Sequence, residues 1–170
     1  HYSKAVTKEL DGKTVIVMGC ARALRGGGAL KFIQLADREG TVQIIAKRGV
    51  VSDSIIKKIE GMNREDVIAV HGTVKASKEA PDGFEIIPIE IRILNSAQTP
   101  LPLELVTKKT PAEFVTRFDS RFLDLRKPEI AAIFNIKDAV TTATRNYLEG
   151  NGFIEIHTPK IIAEASEGGS

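Results

Sequence analysis

The chain has no tryptophan and a single cysteine, Cys20, so it cannot close an internal disulfide; that suits a reducing cytosol. Nor has it a long apolar run. The longest uncharged, mostly apolar stretches, such as Thr14 to Ala21 and Ile86 to Ile89, fall far short of the roughly 20 residues a helix needs to cross a bilayer. Residues His1 to Gly12 are largely polar and have no apolar centre, unlike a signal peptide. Internal repeats and low-complexity tracts are absent, and no cluster of ligands at metal-site spacing accompanies His157, which reads as a strand polar. No metal ligand and no catalytic residue is assigned.

What remains is the composition of a globular protein: 42% hydrophobic and 27% charged residues in a chain of 170. That length holds one ordinary domain, or a small one and part of another. The net charge of +2 implies no acidic partner by itself. Its distribution says more, because between Cys20 and Gly49 stand Arg22, Arg25, Lys31, Arg38, Lys47 and Arg48 against only Asp37 and Glu39. Such an excess predicts a local electropositive surface of the kind polyanions seek, although a merely solvated basic face has the same signature.

From Lys13 to Leu94 the chain is rich in Val and Ile in short runs broken by Gly, the pattern of strands joined by turns. Strands are expected at Lys13 to Leu24, Leu30 to Ala36, Thr41 to Lys47, Val67 to Lys75 and Phe84 to Leu94. Gly26 to Gly28 separate the first two, and Asp37 to Gly40 (DREG) turns into the third. Ser52 offers an N-cap to a helix from Ser54 to Gly61, with Ile55, Ile56 and Ile59 at helical spacing. Five strands with one helix between strands three and four is the order of the OB-fold, a partly open all-β barrel that binds oligonucleotides on the face of strands two and three.

Pro100, Pro102 and Pro111 make Gln98 to Pro111 a linker. Pro128 then stands at the first position of a helix in which Ile130, Ile133, Phe134, Ile136, Val140, Ala143, Tyr147 and Leu148 recur at approximate helical spacing until Gly150 to Gly152. A short strand, Phe153 to Thr158 (FIEIHT), is expected to follow and to stop at Pro159. A lone helix and strand cannot form a core, so the apolar side of the helix needs a partner.

Four segments, in order, carry a resemblance. Lys31-Phe32-Ile33 with Asp37-Arg38-Glu39-Gly40-Thr41-Val42-Gln43 resembles the anticodon-binding barrel of class IIb aminoacyl-tRNA synthetases. Arg121 to Pro128 (RFLDLRKP) is similar to that family's hinge, and Gly152 to Pro159 (GFIEIHTP) to motif 1 of class II enzymes. Ser166-Glu167-Gly168-Gly169 resembles the mobile loop over the amino-acid site. The hinge and loop together look like those of the aspartyl members, archaeal or eukaryotic in kind; the asparaginyl relatives are the nearest alternative, and a free-standing OB-fold nucleic-acid-binding module is the alternative of a different class.

The resemblance implies an OB-fold anticodon-binding domain over residues 1–97, a hinge or linker over 98–127, and the first helix and strand of a class II α+β catalytic domain over 128–170. It implies a tRNA partner, with Phe32 stacking on an unpaired base, Gln43 contacting the central anticodon U, Arg25 touching bases or phosphate, and Glu85 accepting from the N1 and N2 donors of a first-position guanine. It further implies a cytoplasmic homodimer built through motif 1 by Phe153, Glu155 and Pro159, and Glu167 on the ammonium group of bound aspartate. For the parent enzyme it implies aspartate and ATP as substrates, with magnesium. Motifs 2 and 3, which hold ATP and magnesium in class II enzymes, are not among these 170 residues, so the piece is expected to make no adenylate unaided. Three departures from the family pattern stand out: Cys20 where Trp is common, Arg25-Gly26 where Arg-Asp is frequent, and Ala36 where an Arg usually precedes the Asp.

Overall fold

The computed structural model describes residues 1–106, 112–159 and 161, which fall into two compact units, His1–Thr116 and Arg117–Ser170. Unit one begins with two single turns of 3-10 helix, Ser3–Ala5 and Lys8–Leu10. Five strands follow: β1 (Thr14–Arg25), β2 (Leu30–Ala36), β3 (Thr41–Lys47), β4 (Val67–Ala76) and β5 (Phe84–Asn95). One helix, α1 (Asp53–Glu60), lies between β3 and β4. The expected strands differ from these by no more than a residue at either end.

The sheet closes on itself in the order β1-β2-β3-β5-β4. β1 makes this possible by serving two neighbours. Its first half, Thr14 to Cys20, runs antiparallel to β4, and its second half, Cys20 to Arg25, runs antiparallel to β2 across a bulge at Ala21/Ala23. Gly19 sits where the strand changes partner, and a Cβ there would strike the Ala36 carbonyl. Closure is completed by a parallel seam between β3 and β5, registered at the single pair Ile44↔Ile86.

Alternation sorts the side chains. Val15, Val17, Ile33, Leu35, Val42, Ile44, Val70, Val74, Ile86 and Ile91 point inward and form one core, which Ile55, Ile56 and Ile59 of α1 join. Each of those three isoleucines stabilises the fold by about 1.5–3 kcal/mol through burial. Pro88 would interrupt a central strand, but it sits opposite Gly72, beside a register shift that leaves Ile89 outside the ladder. Ser52 occupies the N-cap of α1 as expected, yet its hydroxyl bonds Ser54 Oγ at 2.8 Å rather than a helix amide.

Unit two contains α3 (Arg121–Asp124) and the long α4 (Pro128–Gly150), with α2 (Phe114–Asp119) running into it; α2 and α3 are not announced by any periodicity in the sequence. Pro128 opens α4 at its first turn. The expected strand at Phe153 to Thr158 is not formed: these residues are extended without a ladder partner. An alternating pattern specifies a strand only if another strand supplies its hydrogen bonds, and among the described residues of this unit none does.

Candidate nucleic-acid interface

On β2 the residues between the inward Ile33 and Leu35 are Phe32 and Gln34; on β3 the residues flanking Val42 and Ile44 are Thr41, Gln43 and Ile45. Antiparallel register sets Phe32 opposite Ile45 and Gln34 opposite Gln43, while β1 brings Arg25 opposite Phe32. All of these side chains therefore share the outward face of the same three-stranded surface. Phe32 is partly exposed.

The face is made concave by the loop between β4 and β5. Ser77 donates its amide to the Gly83 carbonyl at 3.0 Å, and Gly83, at a φ of 76°, lets the loop turn back toward β2 and β3. A cleft of about 460 Å³ results, lined by Arg25, Leu30, Phe32, Gln43, Ile45, Ser77, Glu79, Pro81 and Glu85. Arg25, Phe32, Gln43 and Glu85, named separately from the sequence, all border it. A smaller recess of about 150 Å³ adjoins it through shared walls, bordered by Ala23, Arg25, Phe32, Gln34, Thr41, Gln43, Pro81 and Asp82. Sequence reasoning did not identify Gln34, Thr41, Glu79 or Asp82. The strand alternation could have nominated Gln34, two residues beyond Phe32, but nothing local to residues 77–83 announces that this loop folds over that face.

The electrostatics are more balanced than the sequence suggests. Lys31 and Arg48 both approach Glu60 of α1, at 3.2 and 3.4 Å, and Arg22 lies 3.8 Å from the buried Glu65. Arg38 pairs with Glu39 and covers the Tyr2 ring at 4.3 Å. Most of the basic excess between Cys20 and Gly49 is thus answered by carboxylates, three of them from this stretch's own turn or from later in the chain. Arg25, Gln34, Gln43 and Glu85 make no side-chain hydrogen bond or ion pair with other described residues, so their polar ends face the cleft uncommitted.

In unit two, Phe153 is 64% exposed and borders an apolar groove of about 420 Å³ along α4 with Val140, Leu148 and Ile154. Glu155 is held by Arg145 through bonds of 2.7 and 3.2 Å, which lower the pKa of its carboxyl, the Arg145 hydrogen bond being the largest cause. Pro159 is exposed, and Glu167 lies outside the described residues. The segment from Arg117 to Lys127 has an anchor the sequence did not reveal. Asp124 is fully buried and accepts from Arg117 Nε at 3.1 Å and Arg121 at 2.9 Å, with Lys127 at 3.7 Å. Hydrogen bonding from Arg117 first, outweighing the cost of burial, holds its carboxyl below the ordinary aspartate range. Among the described residues no three His, Cys, Asp or Glu side chains converge as metal ligands would.

Residues 15–94 match the family model described as an OB-fold nucleic acid binding domain, and residues 113–170 match that of class II tRNA synthetases (D, K and N). The chain belongs to this class II tRNA synthetase family. Within it, the chain is similar over its whole length to aspartate–tRNA ligases: it is 51% identical to the aspartate–tRNA(Asp) ligase of Pyrococcus furiosus and 47% identical to the aspartate–tRNA(Asp/Asn) ligase of Methanocaldococcus jannaschii. In both comparisons the whole chain is covered and only 39% of the relative, so the chain spans about two-fifths of the length of these curated relatives. Among solved structures, asparaginyl-tRNA synthetase from Pyrococcus horikoshii, complexed with asparaginyl-adenylate, superposes with a TM-score of 0.84 at 29% identity, over 99% of this chain and 38% of that one.

Proposed function

We propose that the barrel grips the splayed anticodon of a tRNA on behalf of an enzyme that joins aspartate to that tRNA. The carrying observation is the cleft in which Arg25, Phe32, Gln43 and Glu85 meet. A partly exposed aromatic ring gives an unpaired base a stacking platform. Beside it, the Gln43 amide can donate and accept at once, which fits the edge of the central U. Glu85, at the far end, accepts from the N1 and N2 donors of guanine in the first position. Arg25 supplies a planar cation able to stack or to fork onto phosphate.

The identities of 47% and 51%, each over the whole chain, to aspartate–tRNA ligases favour aspartate as the amino acid. In the reaction we infer for the parent, the aspartate carboxylate attacks the α-phosphate of ATP, and the tRNA's terminal ribose hydroxyl then takes the aspartyl group. Magnesium supplies charge stabilisation in that chemistry when bound. The described residues provide no site for it, and their contribution is to bind and orient tRNA. Residues 1–97 form the anticodon domain, 98–127 the hinge and 128–170 the opening of the catalytic domain. Phe153, Glu155 and Pro159 belong to a homodimer interface, Glu167 meets the aspartate ammonium group, and the enzyme works in the cytoplasm. That no described helix is long and apolar enough to cross a membrane agrees with the last point.

Titration of an anticodon stem-loop against the chain and its Phe32→Ala variant tests the reading. Loss of the platform is expected to weaken binding about 5- to 150-fold, the equivalent of roughly 1–3 kcal/mol. Unaltered affinity at fixed salt would remove the basis for the cleft as an anticodon site.

A further inference from the structure

The recess beside the main cleft has a chemistry of its own. Along the outward face, three sets of residues succeed one another. Leu30, Ile45 and Glu85 border only the main cleft; Arg25, Phe32, Gln43 and Pro81 border both spaces; Ala23, Gln34, Thr41 and Asp82 border only the recess. If a first-position base lies against Glu85 and the central one against Phe32 and Gln43, the next base in the strand meets Gln34. Phe32 and Gln34 are two residues apart on β2, about 7 Å. That is twice the roughly 3.4 Å step between stacked bases, so a base over Gln34 has left the stack of its neighbour.

Gln34 and Asp82 together narrow what that base presents. The Asp82 carboxylate only accepts hydrogen bonds, while the Gln34 amide can accept through its oxygen and donate through its nitrogen. A carboxylate on the wall also repels a phosphate, so the recess suits a base edge better than backbone. An edge bearing an exocyclic amino group beside a ring acceptor, as in cytosine or adenine, satisfies both side chains; uracil, with a carbonyl in place of the amino group, would leave the carboxylate facing an oxygen.

We propose that Gln34, backed by Asp82, is a specificity-determining residue that reads the third anticodon base and selects an edge bearing an amino group there over uracil. This rests on the anticodon reading of the neighbouring cleft, and it assigns the recess to one nucleotide and one edge. Neither side chain touches a reacting group; their effect is on which tRNA is held.

The experiment measures binding of four stem-loops, one with anticodon GUC and three with a single base changed at the first, central or third position, to the unaltered chain and to Gln34→Ala and Gln34→Glu. Changing the third base from C to U is expected to weaken binding to the unaltered chain by about tenfold or more, in the range of a paired base contact. In Gln34→Ala that ratio should fall toward one, while the ratios at the first and central positions stay as they were. Gln34→Glu, which keeps the acceptor and loses the donor, should retain part of the preference for C. The proposal is overturned if Gln34→Ala weakens all four loops by a common factor, or if the third-position ratio does not change. Phe32→Ala measured alongside keeps the two readings apart. Loss of binding in that variant with an unaltered third-position ratio in Gln34→Ala rejects only the role of Gln34, whereas no loss in Phe32→Ala rejects the cleft itself.

Discussion

The carboxylate of Asp37 ties three pieces of the barrel rim together. It accepts from the Ser3 amide at 2.5 Å, the Ser3 hydroxyl at 2.6 Å, and the amides of Glu39 and Gly40 at 2.8 and 3.0 Å. Burial disfavours its charged form, but these bonds outweigh that cost and hold its pKa below the ordinary aspartate range. The sign follows from linkage. A group whose folded pKa is depressed adds stability that is present in full above its unfolded pKa, about 3.9, and drains away as pH falls through the folded value. Asp37→Asn is therefore expected to cost about 2 kcal/mol at pH 7, since an amide cannot accept all four bonds. Urea unfolding should show the gap between variant and parent closing as pH falls below the ordinary aspartate value of about 3.9; an equal gap at every pH would mean that the charge on Asp37 is not what holds the rim.

Between elements, β4 approaches β5 closely at Gly72. A Cβ there would lie 2.6 Å from both Ile86 Cγ2 and the Ile87 carbonyl oxygen, one of them main chain that cannot step aside. Gly72→Ala should destabilise unit one by about 1–3 kcal/mol, as overpacking does elsewhere. Gly27 is the control, because a Cβ there meets nothing within 4 Å, and its alanine variant should unfold within a few tenths of a kcal/mol of the parent. Comparison of the two urea midpoints checks the pair.

Much of this element-scale order was legible because short runs rich in Val and Ile are broken by glycines near the strand ends. The meeting of Phe32 and Gln43 on one binding face was expected from the family resemblance, not from the strand pattern. What could not be read locally is whatever depends on a distant partner. Phe153 to Thr158 alternates as well as any true strand here, yet no neighbour completes its ladder, and Glu155 turns instead to Arg145. The cover that residues 77–83 form over the cleft, and the three cations gathered on Asp124, are likewise products of tertiary closure.

For the molecule as a whole, the two units contrast in how they dispose of apolar surface. The barrel buries most of its isoleucines, whereas in α4 no described residue is buried: Ile136, Val140 and Tyr147 are 63%, 60% and 71% exposed. An apolar helix side of this extent, uncovered among the described residues, needs a partner. Under the homodimer proposal, the chain should sediment above its 18.5 kDa monomer mass at micromolar concentration. Val140→Asp should return it to monomer without loss of helix by circular dichroism. A parent chain that is monomeric at those concentrations would separate motif 1 from self-association in this chain.

The ring of strands is fastened unevenly. Four of its joins are antiparallel ladders of several residue pairs, while β3 and β5 meet at Ile44↔Ile86 alone. Gln43 and Glu85, each the chain neighbour of a member of that pair, border the cleft. To spread those two side chains apart, the barrel must give up one rung, whereas loosening any other join forfeits many. The join beneath that surface is thus the one with the fewest paired residues, and both members of its single pair, Ile44 and Ile86, lie fully buried in the core.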